Sequence, residues 1–330
     1  MKKNVFEEEY KEISVLIPTY NAESTIVRAI DSVKKQTYQY WKVYVIDDSS
    51  NDNTINVAKE LAVDEPKIKV LSLPEGKGKT RALRFGIDNI CNTDYIMFLD
   101  SDDWLAETTL FQTLVYEGKK ERAECICFNY VVNGKIGFPK LSKKLTLSSD
   151  EEYLKNILNR QYMDGNLWGG IYEFEKVKDK FLIQDFNHED YVNKYNIIKE
   201  CKKVLIIPVI GYEYYVNTSG ITRKKMNERD KYYYIHTERF TSAIISKYPT
   251  LQKECDYFSN WVLLWTISRL ADDKEHKNMD MYSPMMKVAK KNFCVFMKNP
   301  YFSKRERLTY LLIRFKVYGM AHKIYQKIKK

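Results

Sequence analysis

Over its first 130 residues the chain alternates short apolar runs with polar stretches whose apolar positions recur at helical spacing. Ile13-Ser14-Val15-Leu16-Ile17 reads as a strand that stops at Pro18. Residues 23–36 set Ile26, Ala29, Ile30 and Val33 at helical spacing, and Val43-Tyr44-Val45-Ile46 is a second strand ending in Asp47-Asp48. The pattern predicts helix over 54–62, extended chain from Ile68 to Leu73, and helix over 79–90, with Ala82, Leu83, Ile87 and Ile90 on one face. Tyr95-Ile96-Met97-Phe98-Leu99 is an unbroken apolar run, the mark of a buried strand, and a helix over 107–122 and a strand over 124–130 follow. This order predicts an α/β fold, a mostly parallel sheet flanked by helices and joined by right-handed crossovers. From about 131 to 225 glycines break the pattern into short pieces, a zone expected to cover the open end of the sheet. Helical periodicity returns around 239–246, 257–270 and 305–325. The expected division is an N-terminal extension over 1–12, an α/β domain over 13–225 and a helical C-terminal region over 226–330.

Composition changes this picture little. The 330 residues are 44% hydrophobic and 30% charged, a globular balance with enough chain for a large core in one domain or two. The net charge of +10 favours polyanions or anionic membranes. Much of it lies after Lys304, where Arg305, Arg307, Arg314, Lys316, Lys323, Lys327, Lys329 and Lys330 face the single acid Glu306 among Leu308, Leu311, Leu312, Phe315, Tyr318 and Tyr325. Two readings stand: a basic amphipathic helix on an anionic membrane surface, or a packed helix with a solvated cationic face. The charge density favours peripheral membrane contact through residues 304–330. No nucleic-acid-binding motif accompanies the charge, so nucleic acid is not an expected partner.

The six cysteines, Cys91, Cys125, Cys127, Cys201, Cys255 and Cys294, form no Cys-x-x-Cys pair and have no histidine at metal-ligand spacing, which argues against zinc. They read as free thiols in a reducing compartment. Residues 1–12 lack an apolar core and no apolar stretch has the length of a membrane span, so the expected location is cytoplasmic, with peripheral contact at the inner face of the cell membrane.

The candidate chemistry sits where strands end. Asp100-Ser101-Asp102-Asp103 follows the fourth strand directly. In extended chain, residues i and i+2 project to one side, so Asp100 and Asp102 can share a target while Asp103 faces away. Two hard oxygen ligands suit Mg²⁺ or Mn²⁺, which keeps other positions for water and phosphate oxygens. Open parallel sheets bind ligands beyond the carboxyl ends of their strands. The first reading is a metal–diphosphate site; a helix N-cap cluster is the plainer one.

Four segments fall at this same sheet edge: Pro18-Thr19-Tyr20-Asn21, Asp47-Asp48-Ser49-Ser50-Asn51-Asp52, Gly76-Lys77-Gly78-Lys79-Thr80-Arg81 and Asp100-Ser101-Asp102-Asp103. In order and spacing, "SVLIPTYNAESTIVRAIDSVKKQTY", "VYVIDDSSNDNT" and "DYIMFLDSDDWL" resemble the inverting family 2 glycosyltransferases of the GT-A fold, bacterial surface-glycan type. The likeness is specific over about residues 12–110, weaker over 150–225 and absent beyond.

That resemblance implies roles. Pro18, Thr19, Tyr20 and Asn21 would form part of the nucleotide pocket, with Asn21 also placed to cap the next helix. Asp48 would accept the imide N–H of a uracil, while Asp47 holds the turn. Lys79 and Arg81, near a helix N-terminus, would contact the diphosphate; Arg84 stands where the family more often has Asn. Asp100 and Asp102 would bind Mn²⁺ or Mg²⁺, with Asp100 and Ser101 beside the donor. A leaving diphosphate stabilised in this way needs no protein general acid.

Inversion still needs a base for the acceptor hydroxyl, and Asp190 in His188-Glu189-Asp190-Tyr191 is the candidate, with Glu189 near the acceptor. An acidic helix start favoured by the dipole is the alternative. Trp168 could stack on an acceptor sugar or belong to the core, and Ser219 or Arg223 could close over the diphosphate.

The implied partners are a nucleotide-sugar donor, most simply UDP-linked, and a glycan, lipid-linked, teichoic acid or glycoprotein acceptor, with self-association open. Two rivals remain. One is a catalytically silent glycan-binding subunit. The other is a haloacid-dehalogenase-type phosphatase, whose Asp-x-Asp normally ends the first strand and not the fourth.

Overall fold

The computed structural model describes residues 10–76, 78–90, 92–184, 186–216, 228–272 and 282–315. Lys77, Cys91, Ser219, Arg223 and residues 316–330, all named above, lie outside the described residues. The chain divides into two compact units. The first takes in Met1–Tyr153, Gln161–Gln184 and Asp190–Asn217, and the second Leu154–Arg160, Asp185–Glu189 and Thr218–Lys330.

The first unit is built on strands β1 (Ile13–Thr19), β2 (Trp41–Asp47), β3 (Ile68–Ser72) and β4 (Tyr95–Phe98). They pair in parallel in the order β3-β2-β1-β4. The connecting helices are α1 (Ile26–Lys34), α2 (Thr54–Val63) and α3 (Lys79–Asp88). Val15, Leu16, Ile17, Val43, Val45, Ile96 and Met97 are fully buried, the result of a sheet covered on both faces. Each such side chain contributes about 1.5–3 kcal/mol relative to an exposed position. Gly86 of α3 is part of this fit: a Cβ there would stand 2.5 Å from Ile46 Cδ1 and 3.1 Å from Leu16 Cδ2.

Register fixes where the strands end together. Leu16 pairs with Tyr44 on one side and Phe98 on the other, and Thr19 with Asp47. The segments after Thr19, Asp47 and Leu99 therefore leave the sheet at one edge. Chain order reverses at β1, so that edge is a topological switch point, where open α/β sheets bind ligands.

Beyond β4 the sheet is mixed. After β5 (Trp104–Leu105) and α4 (Leu110–Glu121) comes β6 (Cys125–Val132). It does not join β4 directly. A strand from the glycine-broken zone, β9 (Gly170–Glu173), lies between them, antiparallel to both. Short β7 (Lys135–Ile136) and β8 (Leu145–Leu147) pair antiparallel with β6 and with β10 (Val204–Tyr214), and β10 runs parallel to β6. The ten strands among the described residues form one sheet. The periodicity hid β9 and β10. The first is four residues long, and the second holds Pro208 and Gly211, both strand breakers by composition. Its register shifts between Ile206 and Tyr212, an irregularity that accommodates the proline. Between β8 and β10 the chain forms α5 (Asp150–Asn159), α6 (Phe174–Val177) and α7 (Asp190–Ile198).

The second unit is helical: α8 (Glu228–Lys247), α9 (Gln252–Asp272), α10 (Tyr282–Lys291), α11 (Phe293–Lys298) and α12 (Lys304–Arg314). Leu263, Leu264, Ile267, Met285, Phe296, Phe302, Tyr310 and Ile313 form its core. A capping box, Ser303 with Glu306, starts α12, and Tyr310 stacks on Phe296 with centroids 4.0 Å apart. The described part of the basic C-terminal stretch is thus a packed helix. Its outer side leaves Leu308 and Phe315 exposed, at 57% and 70%. Among the described residues no helix is long and apolar enough to cross a membrane, and no disulfide joins the described cysteines.

Candidate active site

The residues that meet at the switch point all belong to the first unit. The β1 turn and the β2 turn are sewn together. Thr19 is buried and its carbonyl accepts the Asp48 N–H at 2.8 Å. Asn21 adopts φ 49°; its N–H donates to Ser50 Oγ at 2.9 Å and its Oδ1 accepts the Asn51 N–H at 2.8 Å. Asn21 caps no helix: α1 begins at Ile26 and its N-cap, Thr25, makes no side-chain capping bond. Its amide is spent joining two loops. Tyr20 stands 53% exposed at the lip. Asp47 is buried and accepts the Ser50 N–H at 3.1 Å, which holds the turn.

Asp48 reaches the next loop, where its Oδ2 accepts the Gly78 N–H at 2.8 Å. Gly78 has φ 93°, a left-handed conformation that glycine tolerates, and it delivers the chain to Lys79, the first residue of α3. Lys79 Nζ lies 2.8 Å from Asp100 Oδ1 and 3.6 Å from Asp190 Oδ2. One ammonium so gathers a carboxylate from the end of β4 and another from the start of α7. Arg81 is half-buried in the first turn of α3. Arg84 points elsewhere: it pairs with Asp88 and donates to the carbonyls of Lys178 and Phe181, binding α3 to the chain after α6.

The Asp100–Asp103 loop is held from below. Asp103 is fully buried; its Oδ2 accepts the Tyr212 hydroxyl at 2.8 Å and its Oδ1 the Tyr215 N–H at 2.7 Å. The Tyr212 hydroxyl in turn accepts the Asp100 N–H at 3.1 Å. Burial, with the charges of Asp100 and Asp102 adding to it, pushes the Asp103 carboxyl up to about 8. From the other side Arg28 donates to the Asp102 carbonyl at 2.6 Å, its guanidinium 4.1 Å from the Trp104 ring centroid and 4.5 Å from that of Tyr215. Ser101 and Asp102 are half-buried on this loop. Nothing in the sequence pattern marks Arg28, Tyr212 or Tyr215. The first lies in an amphipathic helix, the second in β10 and the third just after it, and only the tertiary fold brings them under the acids.

Asp190 Oδ2 is the second partner of Lys79, and its carboxyl also accepts the Leu167 N–H. Burial pushes it above the usual carboxylate range and the Asp100 charge adds to this, while the Lys79 ammonium pulls the other way. Glu189 falls with the second unit and is buried. Trp168 is 5% exposed and stacks on Tyr212, centroids 4.4 Å apart and planes 15° apart, with Tyr130 edge-on at 4.9 Å. Its ring faces are taken by core neighbours and not offered to a sugar; it supports the tyrosine that supports the acid loop. Lys194, unmarked in the sequence pattern, is 1% exposed and donates to the Asn166 carbonyl at 2.9 Å, which steadies the segment before Trp168.

Among the described residues no three or more His, Cys, Asp or Glu side chains converge as a metal cage. Asp100, whose Oδ1 takes the Lys79 ammonium at 2.8 Å, and half-buried Asp102 are the two hard oxygen donors this loop could offer. This donor set fits a Mg²⁺-like ion that completes its shell from phosphate and water, and does not fit a self-sufficient protein site.

Comparison with known proteins bears on the family and the fold. The sequence model of glycosyl transferase family 2 matches residues 14–179. The chain is 30% identical over 226 residues to the UDP-Glc:alpha-D-GlcNAc-diphosphoundecaprenol beta-1,3-glucosyltransferase WfgD of Escherichia coli, covering 66% of this chain and 81% of that one. Among solved structures, S. aureus TarS 1–349 in complex with UDP-GlcNAc superposes with a TM-score of 0.61 at 15% identity, over 96% of this chain and 92% of that one. The mannosyltransferase PcManGT of Pyrobaculum calidifontis, in complex with GDP-Man and Mn²⁺, gives 0.54 at 13% identity, over 93% and 88%. The family match covers half of the chain and spans β1, β2 and β4, whose ends meet at the site edge, and on that ground the chain belongs to the family 2 glycosyltransferases, with the GT-A fold.

Proposed function

We propose that the protein transfers a sugar with inversion from a nucleotide-diphosphate donor, a UDP-sugar, to a hydroxyl of a surface-glycan or lipid-linked acceptor, with a divalent cation at Asp100 and Asp102. The observation that carries this reading is the convergence on Lys79, where one ammonium lies 2.8 Å from Asp100 and 3.6 Å from Asp190. A diphosphate-side acid and a potential base thus lie at one point of the sheet edge. Asp48 accepts the uracil imide N–H; one of its oxygens holds Gly78, and a carboxylate has room for further donors. Pro18, Thr19 and Tyr20 bound the nucleoside, and the N-terminus of α3 with Lys79 and Arg81 faces the diphosphate. Mn²⁺ or Mg²⁺, when bound, supplies Lewis-acid neutralisation of the diphosphate.

Asp190 takes the proton of the acceptor hydroxyl as the new glycosidic bond forms. The bond from the anomeric carbon to the diphosphate breaks on the opposite face, and the nucleoside diphosphate leaves with the electron pair. A raised carboxyl makes a stronger base than an ordinary aspartate. The UDP-linked donors named for the E. coli relative and in the S. aureus complex support the choice of nucleotide, and the diphosphoundecaprenol acceptor of the former supports a lipid-linked one. The Mn²⁺ complex of the P. calidifontis neighbour supports the cation. Peripheral contact with an anionic membrane through residues 304–330 belongs to the same reading. Its support is exposed Leu308 and Phe315 on a helix that begins Lys304-Arg305.

The test is a panel of UDP- and GDP-sugars with a diphosphoundecaprenol-linked acceptor, with and without Mn²⁺. A metal-dependent product of inverted anomeric configuration from a UDP-sugar is expected. Retention of configuration, or transfer unaffected by chelator, contradicts the proposal.

A further inference from the structure

We infer that Lys79 is a built-in counter-cation for the acid cluster: it holds Asp100 until a donor diphosphate arrives, so that metal enters with the nucleotide and not ahead of it. The inference rests on the proposed metal role of Asp100 and Asp102. It differs from a simple phosphate-contact role for Lys79, because it assigns the side chain a task in the empty enzyme.

The geometry is specific. The Lys79 ammonium is 2.8 Å from Asp100 Oδ1 and 3.6 Å from Asp190 Oδ2, with side-chain exposures of 30%, 25% and 16% for the three residues. Solvent therefore screens these charges only in part. Lys79 is the first residue of α3, where the helix dipole disfavours a cation. The acids, not the helix, hold the ammonium in place. A dication seeking Asp100 must displace this ammonium and leave it at a positive helix terminus. The displaced ammonium keeps only its longer contact to Asp190, and that cost makes metal binding weak until a further anion enters the site.

A diphosphate changes the balance. Its natural seat is the N-terminus of α3, where the backbone N–H groups and the dipole favour anions. There it offers the Lys79 ammonium a new partner and frees Asp100 for the metal. The pivot is anchored for this exchange: Gly78, next to Lys79, gives its N–H to Asp48 at 2.8 Å, the residue that reads the nucleoside in the proposed function. Asp48 and Asp100 are thus joined through two adjacent residues, Gly78 and Lys79, at the start of α3. By linkage, if the diphosphate relieves the competition for metal, metal strengthens nucleotide binding by the same factor.

The experiment is a Mn²⁺ titration followed by the electron paramagnetic resonance signal of the free ion. It is run on wild type, Lys79→Met and Lys79→Arg, with and without UDP, after thermal melts establish that all three are folded. Without nucleotide, Lys79→Met is expected to bind Mn²⁺ about tenfold more tightly than wild type. Lys79→Arg, which keeps the charge, stays within about threefold of wild type. UDP strengthens Mn²⁺ binding strongly in wild type and much less in Lys79→Met. If Lys79→Met binds nucleotide-free Mn²⁺ no better than wild type, while wild type binds Mn²⁺ in the presence of UDP, the counter-cation role is refuted and the proposed function stands. If no form binds Mn²⁺ even with UDP, the inference and the metal reading fall together.

Discussion

The carboxyls of buried Asp103 and half-buried Asp190 are both pushed up, yet their surroundings give them opposite tasks. Asp103 is enclosed by Tyr212 and the Tyr215 N–H and holds a loop. Asp190 faces an ammonium and another carboxylate and stands where a proton can be taken. Asp190→Asn should therefore keep UDP-sugar binding within about threefold while turnover falls by about 10²–10⁴; single-turnover assays beside calorimetric binding separate the two. Tyr212→Phe removes the hydroxyl between the Asp100 N–H and the Asp103 carboxyl and leaves buried Asp103 with the Tyr215 N–H but without its Oδ2 donor. It should cost about 1–3 kcal/mol of stability, read from thermal or denaturant melts. An unchanged melt would mean that the Asp103 network contributes nothing to holding the loop. The acids themselves were legible from sequence because each follows an apolar run directly. The tyrosines and Arg28 were not, because nothing local marks a residue whose partner lies 74 to 112 positions away.

At the scale of elements, the parallel half of the sheet could be read element by element, with ends displaced by one to three residues, since β1, β2 and β4 centre on apolar runs and the helices keep their period. The mixed half could not. In β9 the run is too short, and in β10 Pro208 and Gly211 mimic a loop that a register shift turns back into strand. Two changes test the packing of each half. Gly86→Ala drives a Cβ into Ile46 and should destabilise the first unit by about 1–3 kcal/mol. Glu124, at the head of β6, pairs with Lys176 at 2.9 Å and accepts the N–H groups of Lys202 and Lys203 ahead of β10. Burial alone would raise its carboxyl, but the Lys176 ammonium and the Lys202 N–H outweigh it and hold the group below the ordinary glutamate value. A lowered folded-state pKa contributes stability above the unfolded-state value, and that contribution is lost as pH falls through the folded-state value. Glu124→Gln should thus cost about 1–2 kcal/mol near neutral pH, with the gap to wild type closing as pH falls below the ordinary glutamate range in melts across pH. A gap constant with pH would assign the loss to packing.

At the scale of the whole molecule, the net charge of +10 and the basic C-terminal stretch predict attraction to anionic surfaces, and α12 shows what form that can take. Deleting residues 304–330 would strip Tyr310 and Ile313 from the core of the second unit, so charge reversal is the cleaner probe. Lys304→Glu with Arg305→Glu should weaken binding to phosphatidylglycerol vesicles by about tenfold or more, at roughly 1 kcal/mol per basic residue, in sedimentation assays at low salt. Unchanged binding would leave α12 as an ordinary packed helix. The account as a whole depends on two aspartates at the end of one strand engaging a cation that engages the donor. Calorimetry of UDP binding to Asp102→Ala, with Mn²⁺ and with chelator, tests this most directly. The expected result is tight UDP binding by wild type only with Mn²⁺, and no metal-dependent gain in the variant. A variant that keeps the full Mn²⁺-dependent affinity would contradict it.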